Sequence, residues 1–198
     1  MAKLYFRFGS MGSGKSLNLL AVAHNYRQQG KEVLLFKPKL DNRFGVNNIK
    51  SRAGIEMKVD LLLEPKVNII NMDFKGIYCL LIDEAQFVSK KHIEEFRDIA
   101  NDKQIPVICY GLKTDFRGLL FEGSKRLIEL ADKIEEIKTT CFYCNKKATF
   151  NLRHVNGEAV DDGPVIQLGA DEAYFPACYG CYKSEISKSK KNRQTIKN

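Results

Sequence analysis

A glycine-rich turn near the N-terminus constrains the fold of this chain more than any other feature. The turn reads GSMGSGKS and fits the pattern G-x-x-x-x-G-K-S/T, which binds nucleotide phosphates when a strand precedes it and a helix follows it. The apolar run from Leu4 to Phe8 predicts the strand, and helical spacing of apolar residues from Ser16 to Gln29 predicts the helix. This context predicts a phosphate site and argues against the alternative, a merely flexible turn.

The chemistry of such a loop gives each of its residues a role. Glycines allow successive backbone N–H groups to face the phosphates, the Lys15 ammonium reaches the β and γ phosphates, and the Ser16 hydroxyl is a Mg²⁺ ligand. The candidate residues for ATP binding are Gly9, Ser10, Met11, Gly12, Ser13, Gly14, Lys15 and Ser16.

An acidic pair follows a second buried strand. The continuous apolar run from Ile77 to Ile82 leads directly into Asp83 and Glu84. Taken alone, such a pair is equally typical of a helix N-terminus, which favours negative charge. Beside a phosphate loop, Asp83 is the candidate that holds Mg²⁺ or its waters. Glu84, one residue further on, is then placed to take a proton from an attacking hydroxyl or water.

The remaining pattern alternates strands with helices, which predicts an α/β fold built on a parallel sheet. A long segment with few apolar residues, Pro38 to Lys58, predicts a surface loop. The further predicted strands are Val33 to Phe36, Ile105 to Tyr110 and Ile134 to Thr139, and the further helices are Lys90 to Ala100 and Leu119 to Ala131.

Charge and length limit the function classes. The chain has 198 residues and a net charge of +8, a balance that suggests a nucleic-acid partner. Most of that charge lies in the last 16 residues, where six basic residues face one acidic residue, and this predicts a solvated, disordered tail instead. No apolar run approaches the roughly 18 residues of a membrane span. The start lacks a secretory pattern, so the protein is expected to be cytoplasmic.

Six cysteines remain to be explained, and in the cytoplasm they are kept reduced. Cys79 and Cys109 lie in apolar strand runs and are expected in the core. The other four form two C-x-x-C pairs, a spacing typical of a tetrahedral structural zinc site with no open position. A redox pair or a zinc-ribbon nucleic-acid module are the alternatives. The predicted zinc ligands are Cys141, Cys144, Cys178 and Cys181.

The combination of motifs resembles the type II thymidine kinases, the type shared by mammalian cytosol and many bacteria. The resemblance rests on the phosphate loop, on the run from Asp83 to Phe87 and on the late cysteine pairs, and it spans nearly the whole chain. It implies a P-loop NTPase-like parallel sheet with a small C-terminal zinc-binding lasso domain. The expected division is an ATP-binding α/β domain at 1–140, the lasso domain at 141–184 and a basic tail at 185–198.

The resemblance also implies an activity, the transfer of the ATP γ-phosphate to the 5′-hydroxyl of thymidine, with Glu84 as the general base. ATP, Mg²⁺ and structural zinc are the implied cofactors, dTTP is an implied feedback inhibitor, and a homotetramer is the implied assembly. Neither nucleic acid nor membrane is an expected partner. The alternative that the residues leave open is a nucleic-acid-stimulated P-loop ATPase with a zinc-ribbon contact module.

The family pattern assigns further site residues by position. Besides the phosphate loop, the implied ATP and Mg²⁺ contacts are Asp41, Arg43, Asp83 and Gln86. The implied nucleoside contacts, some made by the main chain of the lasso, are Phe87, Leu112, Phe116, Val165, Ile166, Gln167, Leu168, Gly169 and Tyr174. The chain departs from the family pattern at Ser10, Lys113 and Asn151, where proline, aspartate and threonine are usual.

Overall fold

A six-stranded sheet forms the centre of the fold, and every neighbouring pair of its strands runs parallel. The computed structural model describes residues 1–41, 45, 47–165 and 174–195. In spatial order the strands are β5 (Leu61–Leu63), β2 (Glu32–Pro38), β6 (Ile77–Ile82), β7 (Val107–Gly111), β1 (Leu4–Phe8) and β8 (Lys133–Glu136). The α/β prediction is confirmed. The first two strands are not neighbours, because β6 and β7 lie between them.

Helices cover both faces of this sheet. Helix α1 (Lys15–Gln28) packs through Leu19 and Leu20 on one face, whereas α2 (Lys90–Asp102) and α3 (Glu122–Leu130) pack on the other. The alternation of side chains along each strand divides the apolar core in two. Cys79 and Cys109 are fully buried, one in each half of that core, as expected.

A second, antiparallel sheet has the order β10 (Glu158–Val160), β9 (Phe150–Val155) and β11 (Tyr174–Ala177). Helix α4 (Tyr179–Thr195) packs on it. The prediction of a disordered tail was therefore wrong for 185–195. Ile186 is buried in the core beneath this sheet, and the buried Ser189 hydroxyl accepts a hydrogen bond of 3.0 Å from the Ala159 N–H. Residues 196–198 lie outside the described part of the chain.

A hairpin of β3 (Asn48–Lys50) and β4 (Glu56–Lys58) occupies much of the segment predicted as a surface loop. Ile49 is 1% exposed and packs with residues of α1, which explains why this part of the segment is ordered. The hairpin tip lies close to the phosphate loop, since a Cβ at Gly12 would be 4.0 Å from Arg52 Nη1. Across the described residues, none of the helices is long and apolar enough to span a membrane.

Candidate active site

The phosphate loop joins β1 to α1, as the sequence predicts. Gly14 has φ 81°, a left-handed conformation that glycine adopts without strain. Lys15 is 8% exposed, and its ammonium donates to the carbonyl oxygens of Gly9 at 3.1 Å and Ser10 at 3.0 Å. The loop is therefore curled around its own lysine, and the α1 N-terminus that follows carries the positive end of the helix dipole.

Ser16 and Asp83 lie together at the carboxyl end of the parallel sheet, although 67 positions separate them in the sequence. The Ser16 hydroxyl donates to Asp83 Oδ2 at 2.9 Å, whereas the buried Asp83 Oδ1 has no hydrogen-bond partner among the described residues. Burial, and then the neighbouring Glu84 charge, raises the pKa of Asp83 to about 7. A divalent cation would bind the Ser16 hydroxyl oxygen and the Asp83 carboxylate, and its positive charge would favour the ionised form of Asp83. The pair therefore fits Mg²⁺, which prefers oxygen ligands.

Glu84 begins a short 3-10 turn, Ala85–Phe87, and has φ 49° and ψ 41°, an uncommon conformation for a side chain other than glycine and one that clusters at functional sites. Gln86 is 2% exposed and donates its amide N–H to the Glu84 carboxylate, while its amide oxygen accepts from the Leu112 N–H at 2.9 Å. A Cβ at Gly111 would lie 2.6 Å from that oxygen, so only glycine allows this approach. Gln86 was predicted as a cofactor contact, and in the structure its amide holds the Glu84 carboxylate.

A cavity of about 280 Å³ contains these groups. Lys15, Ser16, Asp83 and Glu84 line it on the sheet side, together with Leu112. Residues of β3 and of the turn that follows it line the opposite side, and sequence reasoning missed them because they belong to a segment with few apolar side chains, which predicts a solvated surface loop. They are Asn48, Ile49, Lys50, Ser51, Arg52 and Ala53. Basic side chains on both sides suit a polyphosphate ligand.

Asp41 also lines this cavity, and a buried lysine holds it. Lys37 is 1% exposed and forms an ion pair with Asp41 at 3.4 Å, while donating to the carbonyl oxygens of Gly45 and Asn48 at 3.0 Å each. No local pattern around Lys37 predicts that its side chain is buried. Arg43, predicted beside Asp41, lies outside the described residues.

Phe116 is 2% exposed and lies against Tyr174, with ring centroids 6.4 Å apart in an edge-on arrangement. Asp115 accepts the backbone N–H groups of Arg117 and Leu119 and so shapes the turn that carries Phe116. The Tyr182 hydroxyl, next to a predicted zinc ligand, donates to the Phe116 carbonyl oxygen at 2.8 Å. Asp115 and Tyr182 were missed, since their roles depend on contacts distant in sequence.

Of the predicted nucleoside contacts in the described residues, Leu112 lines this cavity, whereas Phe116 and Tyr174 are not among its lining residues. Phe87 packs edge-on against Phe121 at 5.5 Å and does not line the cavity described above. Val165 is the last described residue before a gap, and the predicted contacts Ile166, Gln167, Leu168 and Gly169 lie outside the described residues.

The structure shows specific contacts for two of the three residues that depart from the family pattern. The Asn151 side-chain oxygen accepts from the Met11 backbone N–H at 2.8 Å and so links β9 to the phosphate loop. Lys113 Nζ lies 5.4 Å from the centroid of the Phe8 ring, within the range of a cation–π contact. The Ser10 hydroxyl is buried with no hydrogen-bond partner in the described part of the chain.

The four cysteines of the C-x-x-C pairs come together beside the second sheet, with their Sγ atoms all within 4.8 Å of one another. The Cys144 and Cys178 sulfurs are 3.7 Å apart. Four Zn–S bonds of about 2.3 Å in a tetrahedron place sulfurs about 3.8 Å apart. The cluster therefore fits zinc.

Comparison with known proteins adds an independent finding. A family model described as Thymidine kinase matches residues 2–182. A thymidine kinase from Lactococcus lactis is 47% identical over 94% of this chain and 100% of its own. Thymidine kinases from Lactiplantibacillus plantarum and Enterococcus faecalis are 47% and 46% identical, each over 90% of this chain and 94% and 93% of their own. The Pif1 helicase structure from Candida albicans gives a TM-score of only 0.43, at 16% identity over 69% of this chain and 36% of its own.

Proposed function

Because the chain belongs to the thymidine kinase family, we propose that it transfers the γ-phosphate of ATP to the 5′-hydroxyl of thymidine, giving dTMP and ADP. The observation that carries this proposal is the shared cavity, in which Glu84 lies with Lys15, Ser16 and Asp83. A base and a phosphate-binding loop in one cavity suit phosphoryl transfer to an alcohol.

The triphosphate would lie along the phosphate loop, with its β and γ phosphates close to Lys15. In the structure the lysine ammonium caps two loop carbonyls, so it is held beside the curled backbone where phosphate oxygens would bind. Ser16 and Asp83 would hold Mg²⁺, which when bound neutralises charge on the phosphates. Asp41 and the hairpin-tip Arg52 line the same cavity and complete the charged surroundings of the triphosphate.

Glu84 would accept the proton of the thymidine 5′-hydroxyl as that oxygen attacks the γ-phosphorus. The Gln86 amide donates to the Glu84 carboxylate, so the base is oriented before substrate binds. Little covalent chemistry is required of the protein, and the rate enhancement comes mainly from positioning and from stabilisation of charge.

Thymidine would bind between Leu112, Phe116 and Tyr174, with main-chain groups of 165–169 reading the base. Leu112 lies at the cavity, and the Phe116 ring contacts the Tyr174 ring. Recognition by backbone groups explains why the sequence lacks an obvious side chain for reading the base.

Zinc would bind the four cysteines and act as a structural metal, since four thiolates leave no position for water. Its connection to the nucleoside site runs through α4, because Tyr182 follows the ligand Cys181 and donates to the Phe116 carbonyl oxygen. The phosphate loop is held by its own lysine and by α1, and its one described link to the second sheet is the hydrogen bond from the Met11 N–H to Asn151.

Removal of zinc with a strong chelator is expected to weaken thymidine binding more than ATP binding. Metal binding supplies folding free energy to its surroundings, and the aromatic contacts of Phe116 and Tyr174 belong to those surroundings. Calorimetric titration of both ligands, before and after chelation, measures the difference. Equal weakening of both, with loss of the folded state, would show that the metal supports the whole chain instead.

A coupled assay of ADP release tests the proposed reaction, with thymidine, deoxycytidine, DNA or nothing added to ATP. The proposal predicts release that depends on thymidine and is far slower with the other additions. Faster release with DNA and none with nucleosides would favour the nucleic-acid-stimulated ATPase and contradict the kinase.

We further propose that the enzyme is cytoplasmic, that dTTP inhibits it and that it assembles as a homotetramer. A thymidine triphosphate carries the base of one substrate and the phosphates of the other, so it suits both halves of the site. Inhibition by dTTP in the same assay and a light-scattering mass test the last two statements.

A further inference from the structure

Arg153 is a buried cation to which neither the sequence motifs nor the proposed reaction gives a role. It lies on β9, and the residue is 5% exposed. Arginine is rarely buried so fully, because a guanidinium group taken out of water is costly unless its surroundings compensate it. Two of the contacts described for this one, with the Phe116 ring and with the Pro164 carbonyl oxygen, lie beside the proposed nucleoside contacts.

The position of Arg153 in the second sheet is specific. It is the register partner of Val160 on β10 and of Tyr174 on β11. Val160 is the last residue of β10 and Tyr174 is the first residue of β11. Arg153 therefore lies opposite both residues that flank the segment 161–173. Its Nη1 donates to the Pro164 carbonyl oxygen at 2.9 Å and so fixes the first turn of the segment.

The same guanidinium group lies over the ring of Phe116, with its central carbon 5.1 Å from the ring centroid. This distance is within the range of a cation–π contact, which strengthens when the cation is desolvated. Phe116 is 2% exposed and its ring edge meets Tyr174. One side chain therefore contacts both the Phe116 ring and the backbone of the neighbouring segment.

We propose that Arg153 is a positioning residue of the nucleoside site, which holds the Phe116 ring and the Pro164 carbonyl in a fixed arrangement before thymidine binds. A planar guanidinium group makes the hydrogen bond and the ring contact at the same time, whereas a lysine ammonium offers a single point charge. The inference rests on the proposed function, because it requires that the nucleoside binds beside Phe116.

The test is the kinetics of Arg153→Lys and Arg153→Met, with Arg27→Lys as the matched control. Arg27 lies at the end of α1 and is partly exposed, so its replacement should change neither KM. Loss of a hydrogen bond from a charged donor is worth a factor of roughly 10 or more. We therefore expect KM for thymidine to rise roughly 10-fold or more in Arg153→Lys, with KM for ATP within about twofold of the wild-type value and with the zinc content unchanged.

The outcomes separate this inference from the proposed function. If the wild-type protein shows no thymidine-dependent ADP release, the proposed function is wrong. If the wild-type protein is active and Arg153→Lys leaves KM for thymidine unchanged, the positioning role is wrong. Equal rises in both KM values with a lower melting temperature or lost zinc would also overturn it, since they indicate a purely structural residue. Arg153→Lys keeps the charge and decides the question if Arg153→Met does not fold.

Discussion

Replacement of Glu84 by glutamine is expected to lower kcat by about 10² to 10⁴, the usual contribution of a general base. The substitution keeps the size and shape of the side chain and removes its capacity to accept a proton. A glutamine at this position can still accept the hydrogen bond that Gln86 now donates to the carboxylate, so the geometry of the turn should persist. Steady-state kinetics with thymidine as the varied substrate measure the change.

The matched control is Glu32→Gln, the same chemical change on an exposed residue at the start of β2, which should leave kcat unaltered. ATP and thymidine affinities of Glu84→Gln should also stay close to the wild-type values. Unchanged turnover in Glu84→Gln would remove Glu84 from the role of base. Lost affinity for both ligands would instead show that the substitution disturbs the site.

Replacement of Lys15 by methionine is expected to weaken ATP binding by roughly 30-fold or more, because a buried charged contact is worth about 2 kcal/mol or more. The lysine is 8% exposed and its ammonium is held against the loop carbonyls, where the phosphates would bind. Thymidine binding should change little. Calorimetric titration with each ligand separates the two effects.

Lys39→Met serves as the control, because Lys39 is exposed and pairs only with Glu64 at the surface among the contacts described for it. The melting temperature of unliganded Lys15→Met reports whether the loop still folds. An ATP titration identical to that of the wild type would refute the assignment of the phosphate loop.

Much of the sheet and the phosphate loop could be predicted because their signals are local. The run from Ile77 to Ile82 is apolar throughout, and the structure has a strand with those limits. The loop pattern carries its own flanking strand and helix. The cysteine cluster was predictable for a similar reason, since two short C-x-x-C spacings already bring thiols close together.

The residues that sequence reasoning missed are long charged side chains and distant partners. Lys37 and Arg153 look like solvated charges in the sequence, and only the folded chain shows that they are 1% and 5% exposed. The part of α4 from residue 185 onward was predicted as a disordered tail because its polar residues outnumber its apolar ones. Its order depends on Ile186 and Ser189 packing on the second sheet, a tertiary effect that overrides composition.

A crystal structure with a conjugate of thymidine and adenosine, joined through a chain of phosphates at their 5′-oxygens, tests the central claim most directly. The account predicts phosphates along Gly9 to Ser16 and the Glu84 carboxylate at hydrogen-bond distance, about 2.6–3.2 Å, from the thymidine 5′-oxygen. A Glu84 carboxylate turned away from that oxygen, or phosphates bound away from the loop, would contradict it.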